Sequence, residues 1–155
     1  MYRSLLDFFV RLSAWKKVVI IGAGAIAARR IGVLQKFGAD IHVIAPEISQ
    51  NIDLSKIHHQ ARSFQPEDID AAFLVIAATN DRTVNHEVAA ICKQHEIPVS
   101  VADCAEESTF YFPAICEGSG LIAGLVSDGS DHHAVSRTAK NSRDIGVKNE
   151  NDQIR

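Results

Sequence analysis

The residues best suited to chemistry form a glycine-rich turn near the start of the chain. In "VVIIGAGAIAARR" the residues Gly22, Gly24 and Ala27 follow the pattern G-x-G-x-x-A. The first glycine allows a tight turn, the second lets a pyrophosphate approach the backbone, and the alanine lets the helix pack closely on the strand. The amides at the helix N-terminus then face the phosphates. The pattern predicts a dinucleotide site, and a tight turn without a ligand is the alternative.

A second position bears on which dinucleotide is bound. An acid that binds the adenosine ribose ordinarily follows about 20 residues later, at the end of the second strand. Here that position is Ala45, and the next residue, Pro46, has no amide hydrogen to donate. Glu47 is close enough in sequence to swing back to the ribose, and no adjacent arginine is present to bind a 2′-phosphate. We therefore expect a modest preference for NAD over NADP.

The elements that must position this turn alternate between strand and helix. Residues 18–21 are an apolar run typical of a strand buried on both faces of a parallel sheet, and residues 41–44 supply a second predicted buried strand. Between them, apolar residues recur at helical spacing up to Phe37, and Gly38 stands where a left-handed helix cap is common. The pattern predicts a strand, a helix and a parallel strand in succession.

The same alternation continues to residue 101. We predict strands over residues 73–78 and 97–101, with a helix between them that Asp81 caps. Residues 46–66 are less regular, with a short helix expected at 54–59 and a short strand near 62–64. The chain is thus predicted to form an α/β fold with a Rossmann-type, doubly wound parallel sheet, which binds its ligand at the carboxyl ends of the strands.

The pattern changes after Asp103. Residues 110–115 and 121–126 are predicted to form a hairpin joined by "EGSG", and a helix is expected over 134–145. A two-stranded hairpin is marginal by itself, so we expect a second copy of the chain to cover it in a homodimer. The predicted division is an NAD-binding Rossmann domain at 1–103, a hairpin and helix segment for dimerisation and substrate at 104–146, and a disordered polar tail at 147–155.

Composition excludes several classes of function. A formal charge of -3 gives the chain no overall attraction to a phosphate backbone, so nucleic acid is not an expected partner. No apolar run approaches the ~20 residues that span a bilayer, and no membrane association is expected. The three cysteines are odd in number and lack C-x-x-C spacing, which favours a reducing, cytoplasmic compartment.

Four stretches of the sequence together resemble a known family. "VVIIGAGAIAARRIGVLQKFGADIHVIAPE", "FLVIAATNDRTVN", "VSVADCAEESTFYFPAI" and "GLIAGLVSDGS" occur in the order and at the spacings of precorrin-2 dehydrogenases, the NAD-dependent part of siroheme synthases. This resemblance covers about residues 5–145. It implies oxidation of precorrin-2 to sirohydrochlorin with NAD as the hydride acceptor, in siroheme biosynthesis. Some members of the family also insert ferrous iron into the product.

The resemblance also implies roles for individual residues. Asp103 matches the aspartate proposed as catalytic base, although a loop acid that binds local backbone amides is the alternative. The segment at Thr79 and Asn80 would line the nicotinamide pocket. The full set of implied cofactor residues is Gly22, Gly24, Ala25, Ile26, Pro46, Glu47, Thr79 and Asn80.

A carboxylate-rich tetrapyrrole calls for local basic groups on this acidic chain. Arg137 and Lys140, one helical turn apart, are the predicted substrate-binding residues, and a solvated helix face is the alternative. Further basic candidates are Arg29, Arg30, Arg62 and Arg143. The chain departs from the family at "SDGSDHHAVSR", where Asp131, His132 and His133 replace the usual turn. We predict an exposed surface turn and no metal site, both there and at the pair His58-His59.

Three other activities are compatible with parts of the sequence. Members that insert iron commonly carry a longer helical region after the hairpin, so we expect weak or absent ferrochelatase activity. A bifunctional dehydrogenase and ferrochelatase, a chelatase without redox chemistry, and a non-catalytic NAD-sensing module are the alternatives. A sensing module would have an acid at the end of the second strand, where this chain has Ala45.

Overall fold

A computed structural model describes residues 16–49, 51–118 and 121–125. It contains seven strands, two α-helices and two short 3-10 helices within these ranges. The strands are β1 (Lys17–Ile21), β2 (Asp40–Ile44), β3 (His58–Gln60), β4 (Leu74–Ala77), β5 (Val99–Val101), β6 (Ala114–Gly118) and β7 (Leu121–Leu125); the helices are α1 (Ala25–Lys36) and α2 (Arg82–Gln94); the 3-10 helices are Leu54–Lys56 and Pro66–Ile69.

The first five strands form one parallel sheet in the order β3-β2-β1-β4-β5. The order reverses at β1, which pairs with β2 on one side and with β4 on the other. The carboxyl ends of β1, β2 and β4 therefore lie side by side, with Ile21 in register with both Ile44 and Ala77. This is the Rossmann-type arrangement predicted from the sequence, and its switch point is where such sheets bind ligands.

Burial on both faces explains why the central strands are apolar throughout. Val19 and Ile21 of β1 belong to a core cluster with Val88 and Cys92 of α2. The alternating residues of β1, Val18 and Ile20, are also fully buried. They point to the opposite face, on the side of α1, whose buried residues are Ala27, Ile31 and Leu34. The sheet is therefore packed between two helices, with α2 on one face and α1 on the other.

Three local predictions were wrong in extent or position. The short helix expected at 54–59 is a single 3-10 turn that ends at Lys56, because the chain from His58 onward pairs as a strand. The short strand expected near 62–64 is instead β3 at His58–Gln60, an edge strand made of three polar residues and paired only with β2. The first hairpin strand begins at Ala114 rather than at residue 110. Pro113 has no amide hydrogen for a ladder, and the hydroxyls of Ser108 and Thr109 instead accept hydrogen bonds from the backbone amides of β5.

The chain divides into two compact units, Met1–Tyr111 and Phe112–Arg155. The first contains the parallel sheet and the second contains the antiparallel pair β6 and β7. The predicted helix over 134–145, the polar tail, Arg137, Lys140 and the segment Asp131 to His133 all lie outside the described residues. Over the ranges that are described, neither helix has the length and apolar character needed to cross a membrane.

Candidate functional site

Gly22 occupies a position where no other residue fits. Its φ is +98°, in the region that favours glycine. A Cβ atom built there would lie 2.4 Å from the carbonyl oxygen of Ala78 and 2.9 Å from the amide nitrogen of Thr79. The backbone amide of Gly22 donates to the carbonyl of Ile44 at 2.9 Å. Gly22 therefore lies where the carboxyl ends of β1, β2 and β4 meet. Packing within the protein requires that this residue has no side chain.

Gly24 has the opposite surroundings. It is the N-cap of α1, and a Cβ atom built there would meet nothing within 4 Å. Ala25 and Ile26, the first two helical residues, are exposed, and the first turn contains no acidic side chain. The amides of a first helical turn have no acceptor within the helix, and they carry the positive end of the helix dipole. The open space beside Gly24 is thus suited to an anion.

The chain after β2 folds back over this turn. Ser49 donates its amide to the carbonyl of Ala23 at 3.0 Å. Ala45 is buried, and its carbonyl accepts from the ring of His59 at 2.9 Å. Pro46 and Glu47 between them are exposed. The position at which related folds carry a ribose-binding acid is therefore a buried alanine, and the side chain of Glu47, two residues later, is exposed.

These segments enclose a cleft of about 650 Å³ at the carboxyl edge of the sheet. Three chain segments supply most of its wall: the glycine turn, the loop after β2 and the loop after β4. The predicted cofactor residues Gly22, Gly24, Pro46, Glu47, Thr79 and Asn80 all line it, and Ala25 and Ile26 follow at the first turn of α1. The structure thus brings the cofactor residues implied by the resemblance into one place.

The loop after β4 is held by a buried amide that sequence reasoning missed. Asn85 is fully buried on α2, and its side-chain oxygen accepts from the amide of Thr79 at 3.0 Å and from the Thr79 hydroxyl at 2.8 Å. Its amide nitrogen donates to the Thr79 carbonyl at 3.1 Å. Asp81 caps α2 as predicted, accepting from the amide of Thr83. The polar groups of Thr79 therefore shape the loop from within the protein.

Asp103, the predicted base, lies beyond the end of β5 and does not line the cleft described above. Ala102 donates its amide to the carbonyl of Ala77 at 2.8 Å, which keeps this segment beside the end of β4. The carboxylate is 37% exposed, and an oxygen of it lies 3.9 Å from a guanidinium nitrogen of Arg82. Asp103 thus stands at the same edge of the sheet as the cleft, one strand further along.

Arg82 and Glu107 form an ion pair next to Asp103. Arg82 binds an oxygen of Glu107, and the same oxygen lies 2.7 Å from the ring nitrogen Nδ1 of His86. These two partners, Arg82 above all, lower the pKa of Glu107 to about 2. Arg82, His86 and Glu107 were not predicted. The nearest signal was the family motif around residue 82, but nothing in the sequence pairs that helix with an acid 25 positions away.

Two of the predicted basic candidates have partners inside the first unit. Arg62 binds the carboxylate of Asp68, whose side chain is only 5% exposed. Arg30 donates to the hydroxyl of Ser100 at 3.2 Å, and burial lowers the pKa of this guanidinium. Both arginines contribute to the structure of the sheet unit, so neither is a plain solvent-facing contact for a substrate carboxylate.

The site fits a dinucleotide on its own geometry. Gly24 leaves open the space that a side chain would fill, at a helix end that offers amide donors. The cleft extends from this turn toward Pro46 on one side and toward Asn80 on the other. The cleft therefore extends to both sides of the glycine turn, at the switch point where such sheets bind ligands.

Comparison with known proteins agrees with this geometry. Residues 8–114 match the model of the NAD_binding_7 family, described as "Putative NAD(P)-binding". The chain is 45% identical over 143 residues to the "Probable multifunctional siroheme biosynthesis protein HemA" of Ruminiclostridium josui, covering 89% of this chain and 28% of that protein. It is 36% identical over 129 residues to the siroheme synthase of Methylobacillus flagellatus, covering 81% and 27% respectively.

A solved structure is similar over most of the chain. The structure titled "SirC, precorrin-2 dehydrogenase" matches with a TM-score of 0.71 and 25% identity, covering 94% of this chain and 71% of that one. The chain spans about a quarter of the length of the siroheme biosynthesis proteins that it matches. The expected resemblance to precorrin-2 dehydrogenases is confirmed, and the chain belongs to the NAD_binding_7 family of NAD(P)-binding domains.

Proposed function

We propose that this chain oxidises precorrin-2 to sirohydrochlorin with NAD as hydride acceptor, as a step of siroheme biosynthesis. The observation that carries the proposal is the contrast between the two glycines of the turn. Gly22 has no room for a side chain because the backbone of Ala78 and Thr79 fills that space, whereas Gly24 faces open space at a helix N-terminus. Relatives named for siroheme biosynthesis and precorrin-2 dehydrogenation supply the substrate class.

NAD, when bound, supplies a nicotinamide ring that accepts a hydride from the substrate. The protein's part is to hold and orient it. The first-turn amides at Ala25 and Ile26 would bind the pyrophosphate, and the loop containing Thr79 and Asn80, fixed from behind by Asn85, would set the position of the nicotinamide half.

NAD is the preferred dinucleotide in this proposal. Ala45 gives the ribose no acid, but Glu47 is exposed at the cleft wall and would repel the 2′-phosphate of NADP while accepting a hydrogen bond from a 2′-hydroxyl. No basic side chain is among the residues that line the described cleft. The preference should be modest because Glu47 must reach in from solvent.

Asp103 is the proposed catalytic base. Removal of a hydride from a carbon of the macrocycle leaves a cation that must then lose a proton, and a carboxylate at the same edge of the sheet can accept it. The exposed carboxylate of Asp103 would meet the part of the substrate that extends past the nicotinamide toward β5. Arg82, between Asp103 and Glu107, would hold that carboxylate in place.

The partner and compartment are also proposals. A hairpin of two five-residue strands needs a covering surface, and the same hairpin of a second copy is the simplest one. Arg137 and Lys140 stay the predicted contacts for substrate carboxylates. A reducing cytoplasm suits a chain whose Cys92 is a buried free thiol. Light scattering on the purified chain would show a dimeric mass if the first of these proposals holds.

The proposed activity is tested by anaerobic incubation of the purified chain with precorrin-2 and NAD. The product should be sirohydrochlorin, two hydrogens lighter than the substrate by mass spectrometry, and its formation should require NAD. Unchanged precorrin-2 in the presence of either NAD or NADP would contradict the proposal. Conversion with NADP at a higher kcat/KM than with NAD would contradict the assignment of Glu47.

A further inference from the structure

A second cluster of chemically competent side chains lies away from the cleft. Asp40 begins β2, His42 follows two residues later on the same face, and His58 begins β3. His42 and His58 are register partners across the two strands. The cluster is at the amino-terminal part of β2, whereas the cleft begins at Ile44, so about 13 Å of strand separates Asp40 from the cleft at the usual rise per residue.

The three side chains already converge. One carboxylate oxygen of Asp40 lies 3.1 Å from Nε2 of His42, and the other lies 3.3 Å from Nε2 of His58. The two imidazole rings stack with centroids 4.7 Å apart and an interplanar angle of 27°. One potential ligand atom from each residue falls within a group no wider than 4.8 Å.

We propose that Asp40, His42 and His58 bind a divalent transition-metal cation of the zinc or nickel type. Metal bonds of about 2.0–2.2 Å at tetrahedral angles put ligand atoms roughly 3.3–3.6 Å apart. Each imidazole nitrogen already lies close to that distance from one of the two oxygens of Asp40, and the three ligand atoms lie within 4.8 Å of one another. Only the imidazole nitrogens would need to adjust, and the His58 side chain, 68% exposed, is free to do so. Two imidazoles and one carboxylate suit borderline divalent ions better than Mg²⁺ or Ca²⁺.

The surroundings leave the ligands available. Lys17 is the register partner of Asp40 on β1, but its ammonium group donates to the carbonyls of Asp68 and Asp70. The carboxylate of Asp40 is 42% exposed and that side of the cluster is open to solvent for the remaining positions of the metal. A bound cation would tie the edge strand β3 to β2, so its role would be structural and independent of hydride transfer.

Calorimetric titration of the untagged chain with Zn²⁺, and separately with Ni²⁺, tests the proposal at neutral pH. We expect one site that Mg²⁺ does not occupy, and a rise in melting temperature when the metal is added. Loss of even an outer partner of a metal ligand weakens binding by about 10–100-fold. The variants His42→Ala and His58→Ala, which remove direct ligands, should therefore lose at least about tenfold in affinity.

Two controls locate the metal. His59→Ala removes the next imidazole on β3, which faces the other side of the sheet and binds the Ala45 carbonyl, and it should keep full metal affinity. The double variant His132→Ala/His133→Ala removes the two consecutive histidines later in the sequence, and it should also keep full metal affinity. The proposal is overturned if Zn²⁺ and Ni²⁺ do not bind, if His58→Ala binds as tightly as the unmodified chain, or if the double variant loses the site. Circular dichroism shows that each variant is folded.

Discussion

Among single residues, the two glycines of the turn have different roles, although both are required by the same sequence motif. Gly22 is required by the contact with Ala78 and by a positive φ, so it belongs to folding. Gly24 is required by neither, and its open side faces the cleft. A motif match alone does not separate these two reasons for a glycine, but the position of a hypothetical Cβ atom does.

This difference predicts opposite behaviour of two alanine variants. Gly22→Ala should lower the free energy of unfolding by about 2–4 kcal/mol, from strain at positive φ and from the clash with Ala78. Gly24→Ala should stay within about 1 kcal/mol of the unmodified chain but bind NAD about tenfold more weakly or worse, because a methyl group keeps the phosphates from the amides. Urea unfolding and NAD calorimetry on both variants measure this. Equal stability of the two variants would contradict the assignment.

Asp103 supports a prediction about turnover. Asp103→Asn keeps the size of the side chain but removes the proton acceptor, so NAD affinity should be unchanged and kcat should fall by about 10²–10⁴-fold. Glu106→Gln is the matched control: it neutralises a nearby exposed acid whose contact is with the thiol of Cys104. Steady-state kinetics with precorrin-2 should show normal kcat for the control. Full activity of Asp103→Asn would remove Asp103 as the base.

At the scale of elements, the cleft depends on loops that are braced by α2. Asn85 makes three hydrogen bonds to Thr79 from a fully buried position. Arg82, one turn earlier, reaches Glu107 in the segment after β5. One helix thus sets the loop after β4 and the loop after β5, which are the two loops that the proposed mechanism uses.

Removal of the Asn85 amide should affect both stability and cofactor binding. Asn85→Ala leaves the partly buried amide of Thr79 without its acceptor and leaves a small cavity at the fully buried position 85, so we expect a loss of about 2–4 kcal/mol in unfolding free energy. NAD should also bind more weakly, since Thr79 and Asn80 lose their support. Denaturant unfolding and calorimetry test this, with His95→Ala at the exposed C-cap of α2 as the control. Unchanged stability would show that the loop holds its shape without Asn85.

The Arg82 and Glu107 pair predicts a pH dependence. The pKa of Glu107 is lowered from 4.5 to about 2 in the folded chain, chiefly by Arg82 and then by His86. The ionised form is thus favoured by folding, so its contribution to stability is present above pH 4.5 and is lost as the pH falls toward 2. Glu107→Gln should therefore lower the melting temperature at neutral pH, and the difference from the unmodified chain should shrink to nothing below that window. A constant difference at all pH values would contradict this cause.

Some elements could be predicted from the sequence and others could not, for physical reasons. β1 and β4 are buried on both faces, so apolar runs reveal them, whereas β2 is recognised from its buried residues Ile41, Val43 and Ile44. β3 is an edge strand with the sequence His58-His59-Gln60, and its position follows from pairing with β2, which no local pattern encodes. The buried Asn85 and the pairing of Arg82 with Glu107 were missed for the same reason: both depend on partners brought together by the fold.

At the scale of the whole molecule, the proposed reaction uses the cleft at the carboxyl edge of the parallel sheet. The parallel sheet places the glycine turn, the β2 loop and the β4 loop around one cleft, and the segment with Asp103 lies at the same edge. The order reversal at β1 is what brings these loops together. The sheet unit therefore contains all the residues proposed for NAD binding and for proton removal.

The most direct test of the account is the stoichiometry of hydride transfer. Precorrin-2 is added anaerobically, in known amount, to the purified chain with excess NAD, and the absorbance of NADH is followed to completion. We expect one equivalent of NADH for each precorrin-2 consumed, and a lower initial rate of NADH formation for the Gly24→Ala variant at NAD concentrations near the Kd of the unmodified chain. Consumption of precorrin-2 without formation of NADH, or binding of NAD without any reduction, would show that this chain is not an NAD-dependent dehydrogenase.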